Sequence, residues 1–358
     1  MSDQVRHDGK TFDCNVLSST IKRHNYGNWK MENVSIIMPA FNAEKFIKET
    51  INSILFQMMR GDELIIVDDG STDNTKEVIK AFKSPLVRYF YQDNSGGPSA
   101  PRNKAIRYSQ NEIIVIFDSD DLMHPEKLLY TREAIKKYPH AGLICSNFSS
   151  IDEFGNMIKK SYLEGYDLIE RKLPKDNQVF YEISPIEARR MLAKENFVGT
   201  SSVAIPKKVI QKVGGFNEKL ANAEDIELWL RITNENSMVF INKPLHYYRR
   251  RKSGNISSKR FCQLAVGQLN ALIGHYDISS DQETVINFKK RISDTILASA
   301  YDHYIHGEMA KARSCIVKHR TRFLSGKHIQ LFLKTLLGNR LAILARKIKR
   351  SFSSINIT

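Results

Sequence analysis

The stretch "ELIIVDDGSTDNTKEVIKAF" runs from Glu63 to Phe82. Its apolar run, Leu64 to Val67, reads as a buried strand. Asp68 and Asp69 end that strand, a polar turn follows, and "DNTKEVIKAF" reads as a helix with Asp73 as its cap. Two carboxylates at the end of a buried strand are costly to desolvate unless something binds them there.

The same unit recurs on both sides. Upstream, "VSIIM" from Val34 is a strand, and in "AEKFIKETINSILFQ" the residues Phe46, Ile47, Ile51, Ile54 and Leu55 share one helical face. Downstream, "LVRYFYQ" is a strand and "PSAPRNKAIRYS" a helix beginning near two prolines. "EIIVIFD" is the fourth strand, running into Asp118-Ser119-Asp120-Asp121, and "PEKLLYTREAIKKY" is the helix after it. Alternation of this kind predicts an α/β fold, a mostly parallel sheet flanked by helices. Ligands of such sheets bind outside the carboxyl ends of the strands. The acidic turns at Asp68–Asp69 and Asp118–Asp121 both fall there, so they are expected to form one site.

Beyond residue 140 the alternation loosens. "AGLICSNF" reads as a strand, "SSIDEFGNMIKK" as a hairpin, "SPIEARRMLAKEN" as a helix, "GTSSVAI" as a strand, and "EDIELWLRITNE" as an amphipathic helix opening on two acids. After about residue 258 the pattern is helical only, with one hairpin of helices turning near Gly307. The expected organisation is a polar, unpatterned leader (1–33), an α/β domain (34–257) and a basic helical C-terminal region (258–358).

Six segments follow one another in order: "PAFNAEKF" (39–46), "VDDGSTDNT" (67–75), "NSGGPSAPRN" (94–103), "DSDD" (118–121), "VGGFNEKLANAEDIELWLR" (213–231) and "YYRRRKSGNIS" (247–257). Each alone is a weak signal. Together they resemble glycosyltransferase family 2, whose nucleotide-sugar-binding fold is called GT-A. The resemblance covers residues 34–257 and leaves out the leader and the tail. It implies inverting transfer of one sugar from a nucleoside-diphosphate sugar, a UDP-sugar by family preference, to a glycan or lipid-linked acceptor in bacterial surface-glycan assembly.

The chemistry of the residues agrees with that implication. A diphosphate leaving group gains negative charge as the glycosidic bond breaks, and a divalent cation stabilises it. Manganese and magnesium take hard oxygen ligands, usually one or two carboxylates beside phosphate oxygens and water. Asp118-Ser119-Asp120 offers such ligands at one strand end, and by resemblance it is the DxD motif. Asp120 then touches the metal, and Asp118 lies near the ribose or the metal. Read without that context, the cluster is a hydrated acidic turn before a helix.

In the first loop Pro39, Ala40, Phe41, Asn42 and Glu44 are the implied nucleotide-sugar contacts; the plainer reading of Phe41 is packing. Asp68 or Asp69 accepts a hydrogen bond from a pyrimidine N3, and strand register decides which. Gly96 and Gly97 permit close backbone approach in the third loop. Arg102 reaches the base or phosphate, or else lies on a solvated helix face. Inversion needs a general base for the acceptor hydroxyl. The resemblance puts it in Glu224-Asp225, with Asp225 as the base and Glu224 orienting the acceptor or its partner; helix capping is the alternative. Trp229 shares a helical face with Asp225 and is expected in the core. The "RRRKSGNIS" segment is expected to be a mobile loop that closes on the diphosphate through Arg250 or Arg251. It has no histidine, which favours direct arginine–phosphate contact.

The 358-residue chain carries a net charge of +15, and 42% of it is apolar, enough for a sizeable core. The excess charge is concentrated at the end: after Glu308 there are twelve lysines and arginines and no acidic residue. "HIQLFLKTLLGNRLAILARKIKRSF" (328–352) places Leu333, Leu336, Leu337, Leu341, Leu344 and Ile348 at helical spacing between cations. That suits a helix on an anionic membrane surface, or equally one packed on the domain or a second copy. Cys14, Cys145, Cys262 and Cys315 lie far apart with no CxxC pair, as in a reduced, cytoplasmic protein. No secretory signal and no membrane-length apolar run is present, so the expected location is cytoplasmic or peripheral on the inner face of the membrane. The processive synthases of the family carry a QxxRW motif and spans that are absent here. Nucleic-acid binding leaves the acidic strand ends unexplained and lacks any RNP or zinc-finger pattern. The remaining rival is a catalytically degenerate sugar-nucleotide-binding or scaffold protein of the same fold.

Overall fold

The computed structural model describes residues 4–7, 10–13, 32–173, 176, 178–251, 259–319 and 322–336. Its contacts divide the chain into two units, one of residues 1–192 with 196–255, the other of residues 256–358 with 193–195. Within the leader, which shows no period in sequence, β1 (Gln4–His7) and β2 (Lys10–Asp13) pair antiparallel with Val5 opposite Phe12. The β-forming residues Val5, Thr11 and Phe12 suit that pairing. Tyr26 and Trp29 of the leader lie outside the described residues.

The first unit is built on one mixed sheet. Four strands match the alternating half of the sequence: β3 (Val34–Ala40), β4 (Glu63–Asp69), β5 (Val87–Gln92) and β6 (Ile113–Ile116). β4 pairs parallel with β3 and β5, and β3 pairs parallel with β6. The connecting helices are α1 (Ile47–Leu55), α2 (Thr75–Lys80) and α3 (Ser99–Tyr108), and α4 (Lys127–Lys137) follows the acidic turn. Every residue of β4 is buried, as a strand covered on both faces must be.

The second half departs from simple alternation. β8 (Leu143–Asp152) continues past the stretch read as its end and turns into β9 (Met157–Lys159). "GTSSVAI", expected to be one strand, is a 3-10 turn at Thr200–Ser202 followed by the short strand β11 (Ala204–Pro206). β11 inserts antiparallel between β6 and β8. β12 (Met238–Arg250) then runs parallel to β8, with Arg250 opposite Asp152. Arg249 and Arg250 are therefore the end of a long strand rather than part of a loop. Pairing with β8 holds their backbone; residues 252–258 of the expected loop lie outside the described residues. β10 (Phe180–Ile183) and the short β7 (Leu122–Met123) pair antiparallel with β12. The remaining helices of this unit are α5 (Pro185–Lys194), α6 (Lys207–Val213) and α7 (Glu224–Ile232). The second unit contains α8 (Phe261–Asp277), α9 (Gln282–Ile305), α10 (Met309–Lys318) and α11 (Gly326–Leu336). Gly307, at φ +81°, makes the turn between α9 and α10 that the sequence marks.

The amino ends of β3 and β4 are fixed by a buried ion pair. The Asp62 carboxylate accepts from Arg132 Nη2 at 2.6 and 2.8 Å, from Val34 N at 3.0 Å and from Met59 N at 2.7 Å. Arg132 also donates from Nε to Glu32 O at 3.1 Å. Removing one charge of a buried pair leaves the other uncompensated. Asp62→Asn should therefore cost about 3 kcal/mol, read as a lower urea midpoint with an unchanged slope. An unchanged midpoint would show that Arg132 is neutralised elsewhere.

Candidate active site

The carboxyl ends of β3 to β6 lie side by side, and the loops that leave them are fastened to one another. Asn42, in the left-handed region at φ +47°, donates its N–H to Ser71 Oγ at 3.0 Å and accepts Thr72 N at Oδ1 at 2.8 Å. Glu44 accepts both Asn74 N and Asn74 Nδ2 at 3.0 Å, so its carboxylate is engaged in holding the second loop. The N-cap position falls to Asn74 rather than the expected Asp73, which instead accepts Thr75 N at 3.0 Å from one residue earlier. A Cβ on Gly70, at φ +76°, would lie 2.7 Å from Asn94 N, so only glycine lets the second and third loops meet. Pro39 and Ala40 are the last residues of β3, and Phe41 beyond them is 51% exposed rather than packed.

Asp68 and Asp69 are both buried and both engaged. Asp68 accepts Ser71 N and the Tyr89 hydroxyl, each at 2.9 Å. Asp69 accepts Gln92 Nε2 at 2.6 Å and the Ser95 hydroxyl at 2.9 Å, together with Ser95 N. Asp69 thus anchors the third loop, where Gly96 and Gly97 border open space.

Arg102 is neither on a solvated face nor pointed at solvent. It is 3% exposed, with Nη2 2.7 Å from Asp118 Oδ1 and Nη1 2.6 Å from Glu224 Oε1. Its guanidinium lies over the Phe216 ring at 5.2 Å, and the two carboxylates raise its already high pKa despite burial. Glu224 is correspondingly buried, with its side chain paired to the arginine. Asp225, beside it at the start of α7, remains part exposed. Its Oδ2 accepts the Thr200 hydroxyl at 3.3 Å and its Oδ1 accepts Ile226 N at 2.6 Å. Burial and the neighbouring Glu224 push its carboxyl up to about 6. Ala223 immediately before it holds φ +62°, the conformation that turns the chain into α7. Trp229 is fully buried and packs edge-on against Phe216.

The acidic turn after β6 is held from three sides. The Asp118 N–H donates to Ser201 Oγ at 3.1 Å, and Thr50 Oγ1 donates to Ser119 O at 3.1 Å and Asp121 O at 2.8 Å. Arg249 is buried and donates to Asp120 O, Glu153 O and Glu49 Oε2, while its N–H donates to Asp121 Oδ1 at 2.9 Å. Arg251, two residues on, pairs with Asp120 at 2.9 Å, and both arginines lie over the Phe46 ring. Arg250 alternates to the other side of β12 and is exposed, so the structure does not bring it to the acidic turn. Burial and Asp118 push Asp120 up to about 6 against the pull of Arg251 and Arg249. Asp121 is raised further by burial and by both neighbouring acids. Asp118 and Asp120 keep part of their surface exposed at a rigid strand end, while Asp121 faces inward. Two hard carboxylates are the number that magnesium or manganese takes from protein when phosphates complete its shell, so the donor set fits. Among the described residues no cluster of three or more candidate ligands is positioned to hold an ion by itself.

Sequence reasoning missed Arg249, Glu49, Thr200 and Ser201. The arginine stands out only once strand alternation along β12 is known. The hydroxyls stand in a small polar run with no period of its own.

Comparison with known proteins bears on this arrangement. Residues 35–197 match the model of "Glycosyl transferase family 2". The chain is 30% identical over 280 residues to glycosyltransferase GlyG of Streptococcus pneumoniae, covering 75% of this chain and 82% of that protein. It is 36% identical over 162 residues to the poly(ribitol-phosphate) beta-N-acetylglucosaminyltransferase TarP of Staphylococcus aureus, covering 44% of this chain and 48% of TarP. It thus spans most of GlyG but under half of TarP. The crystal structure of S. aureus TarS 1-349 in complex with UDP-GlcNAc shares the fold at a TM-score of 0.56 and 19% identity, over 85% of this chain and 79% of that one. The chain therefore belongs to glycosyltransferase family 2, as an enzyme whose mixed sheet is the GT-A fold.

Proposed function

We propose that the protein is an inverting, divalent-cation-dependent glycosyltransferase that moves one sugar from a UDP-sugar to an acceptor in bacterial surface-glycan assembly. The observation that carries this reading is the chain Asp118–Arg102–Glu224–Asp225. It joins the strand end suited to the diphosphate to a part-exposed carboxylate suited to the acceptor. Support for the donor comes from TarS, whose structure holds UDP-GlcNAc. Support for surface-glycan assembly, though not for one acceptor chemistry, comes from the relatives GlyG and TarP.

In this reading the first loop, with exposed Phe41, and the strand end at Asp68 receive the nucleotide. Gly96 and Gly97 leave room for its backbone contacts. Asp118 and Asp120 hold a magnesium or manganese ion, which when bound offsets the charge that develops on the departing diphosphate. Arg251 is within reach of the same charge from its place beside Asp120. Arg102 holds Asp118 and Glu224 in place, and Thr200 orients Asp225. Asp225 takes the proton from the attacking acceptor hydroxyl; a carboxyl raised to about 6 is a stronger base than an ordinary aspartate.

Among the described residues no helix is long and apolar enough to cross a membrane. On α11, Ile329, Leu333 and Leu336 are 57%, 54% and 59% exposed, while His328, Leu331 and Thr335 face inward. With Lys327 and Lys334 beside them, this apolar stripe supports an interfacial helix on an anionic membrane. Leu337, Leu341, Leu344 and Ile348, expected on the same face, lie outside the described residues.

Asp225→Asn should retain nucleotide binding and lower transfer by about 10²–10⁴-fold. In the unsubstituted enzyme kcat/KM should fall as pH drops through about 6, where the raised Asp225 carboxyl takes up its proton. A flat profile from pH 5 to 8, with turnover intact in the variant, would remove Asp225 from the base role. Asp120→Ala should abolish the manganese-dependent gain in UDP affinity measured by calorimetry; equal titrations with and without metal in the unsubstituted protein would sink the metal assignment. Ile329→Glu combined with Leu333→Glu should release the protein from phosphatidylglycerol vesicles in co-sedimentation, and undiminished pelleting would leave α11 as a packing helix.

A further inference from the structure

A set of stacked rings that the transfer chemistry does not use begins on β8 and β12. His246 of β12 and Phe148 of β8 stack at 4.7 Å, and Phe148 and Tyr162 stack at 4.5 Å, each pair within 19° of parallel. Tyr248 stands edge-on to Phe148 and Tyr162 at 6.4 and 6.1 Å, and Tyr166 lies 6.3 Å from Tyr162. The stack runs outward: His246 and Phe148 are buried, whereas Tyr162, Tyr166 and Tyr248 are partly exposed.

Its place in the fold is fixed. A Cβ on Gly199 would lie 3.1 Å from Phe148 Cε1, so the ring lies against the backbone one residue before Thr200. Thr200 is the residue whose hydroxyl holds Asp225. The outer ring is also held rigidly. Tyr162 N donates to Phe148 O at 2.6 Å, and Asn147 clamps both neighbours, donating from Nδ2 to Ser161 Oγ at 2.8 Å and accepting Leu163 N at 3.3 Å. A preordered aromatic face costs little to organise when a ligand arrives.

We propose that Tyr162, Tyr166 and Tyr248 form the acceptor subsite, and that the acceptor presents a pyranose ring to them as the next layer of the stack. The proposal rests on the reading of Asp225 as the base. One face of a pyranose carries C–H bonds that suit the negative face of an aromatic ring. An open-chain polyol phosphate has no such flat face. Phe148, the buried layer of the stack, lies against Gly199, so the stack begins beside the segment that carries Thr200.

Saturation-transfer NMR with the methyl β-pyranosides of glucose, galactose and N-acetylglucosamine tests this on the full-length protein. Transfer to the ring C–H protons of at least one glycoside is expected, reduced about fivefold in Tyr162→Leu and kept in Tyr162→Phe. No transfer to any pyranoside, equal transfer in Tyr162→Leu, or transfer confined to ribitol 5-phosphate would overturn the subsite. UDP release from UDP-GlcNAc with manganese reads the transferase reaction independently. Pyranoside contact through Tyr162 without UDP release would leave the subsite standing and remove the transferase reading; UDP release without pyranoside contact would do the reverse.

Discussion

A buried guanidinium between two carboxylates holds the site together. Arg102 sits on α3, Asp118 at the end of β6 and Glu224 at the start of α7. Without a cation at that point, two acids from separate parts of the chain would repel one another. With it, their spacing is set by two ion pairs. The arginine is itself fixed by the Phe216 ring beneath it. The strand end that suits a diphosphate and the helix end that suits an acceptor are thereby one rigid object.

The acidic turn follows the same logic on a second flank. Asp118, Asp120 and Asp121 crowd one short segment, and burial adds to their mutual repulsion. Arg249 answers with hydrogen bonds to the turn's backbone and Arg251 with an ion pair to Asp120. Arg249 ends one side of β12 and Arg251 follows two residues on, just past the strand's end.

The early half of the fold was legible in the sequence because its signals are local. A buried parallel strand must be apolar along its length, and a helix covering it must repeat its apolar residues near every third or fourth position. "ELIIVDD" and the helix at Ile47–Leu55 satisfy those conditions without reference to any other segment. The later half was less legible. β11 is too short to show a period, and its turn, Thr200–Ser202, has its meaning from what lies across the sheet. β12 carries Asn242, Lys243 and Pro244 in mid-course, where its register shifts against β8, and that interruption hides a single long strand.

The sequence by itself determined which acids end which strands, because strand ends and turns are set by neighbours along the chain. It determined too that Glu224 and Asp225 open a helix. Only the tertiary structure decided how those groups divide their work. Glu224 is bound to Arg102 while Asp225 keeps a partly exposed carboxyl; adjacent residues on a helix point in different directions, and what each meets is contributed by distant segments. Arg102 turned inward and Arg250 outward for the same reason. A side chain's charge is written in the sequence, but its partner is chosen by packing.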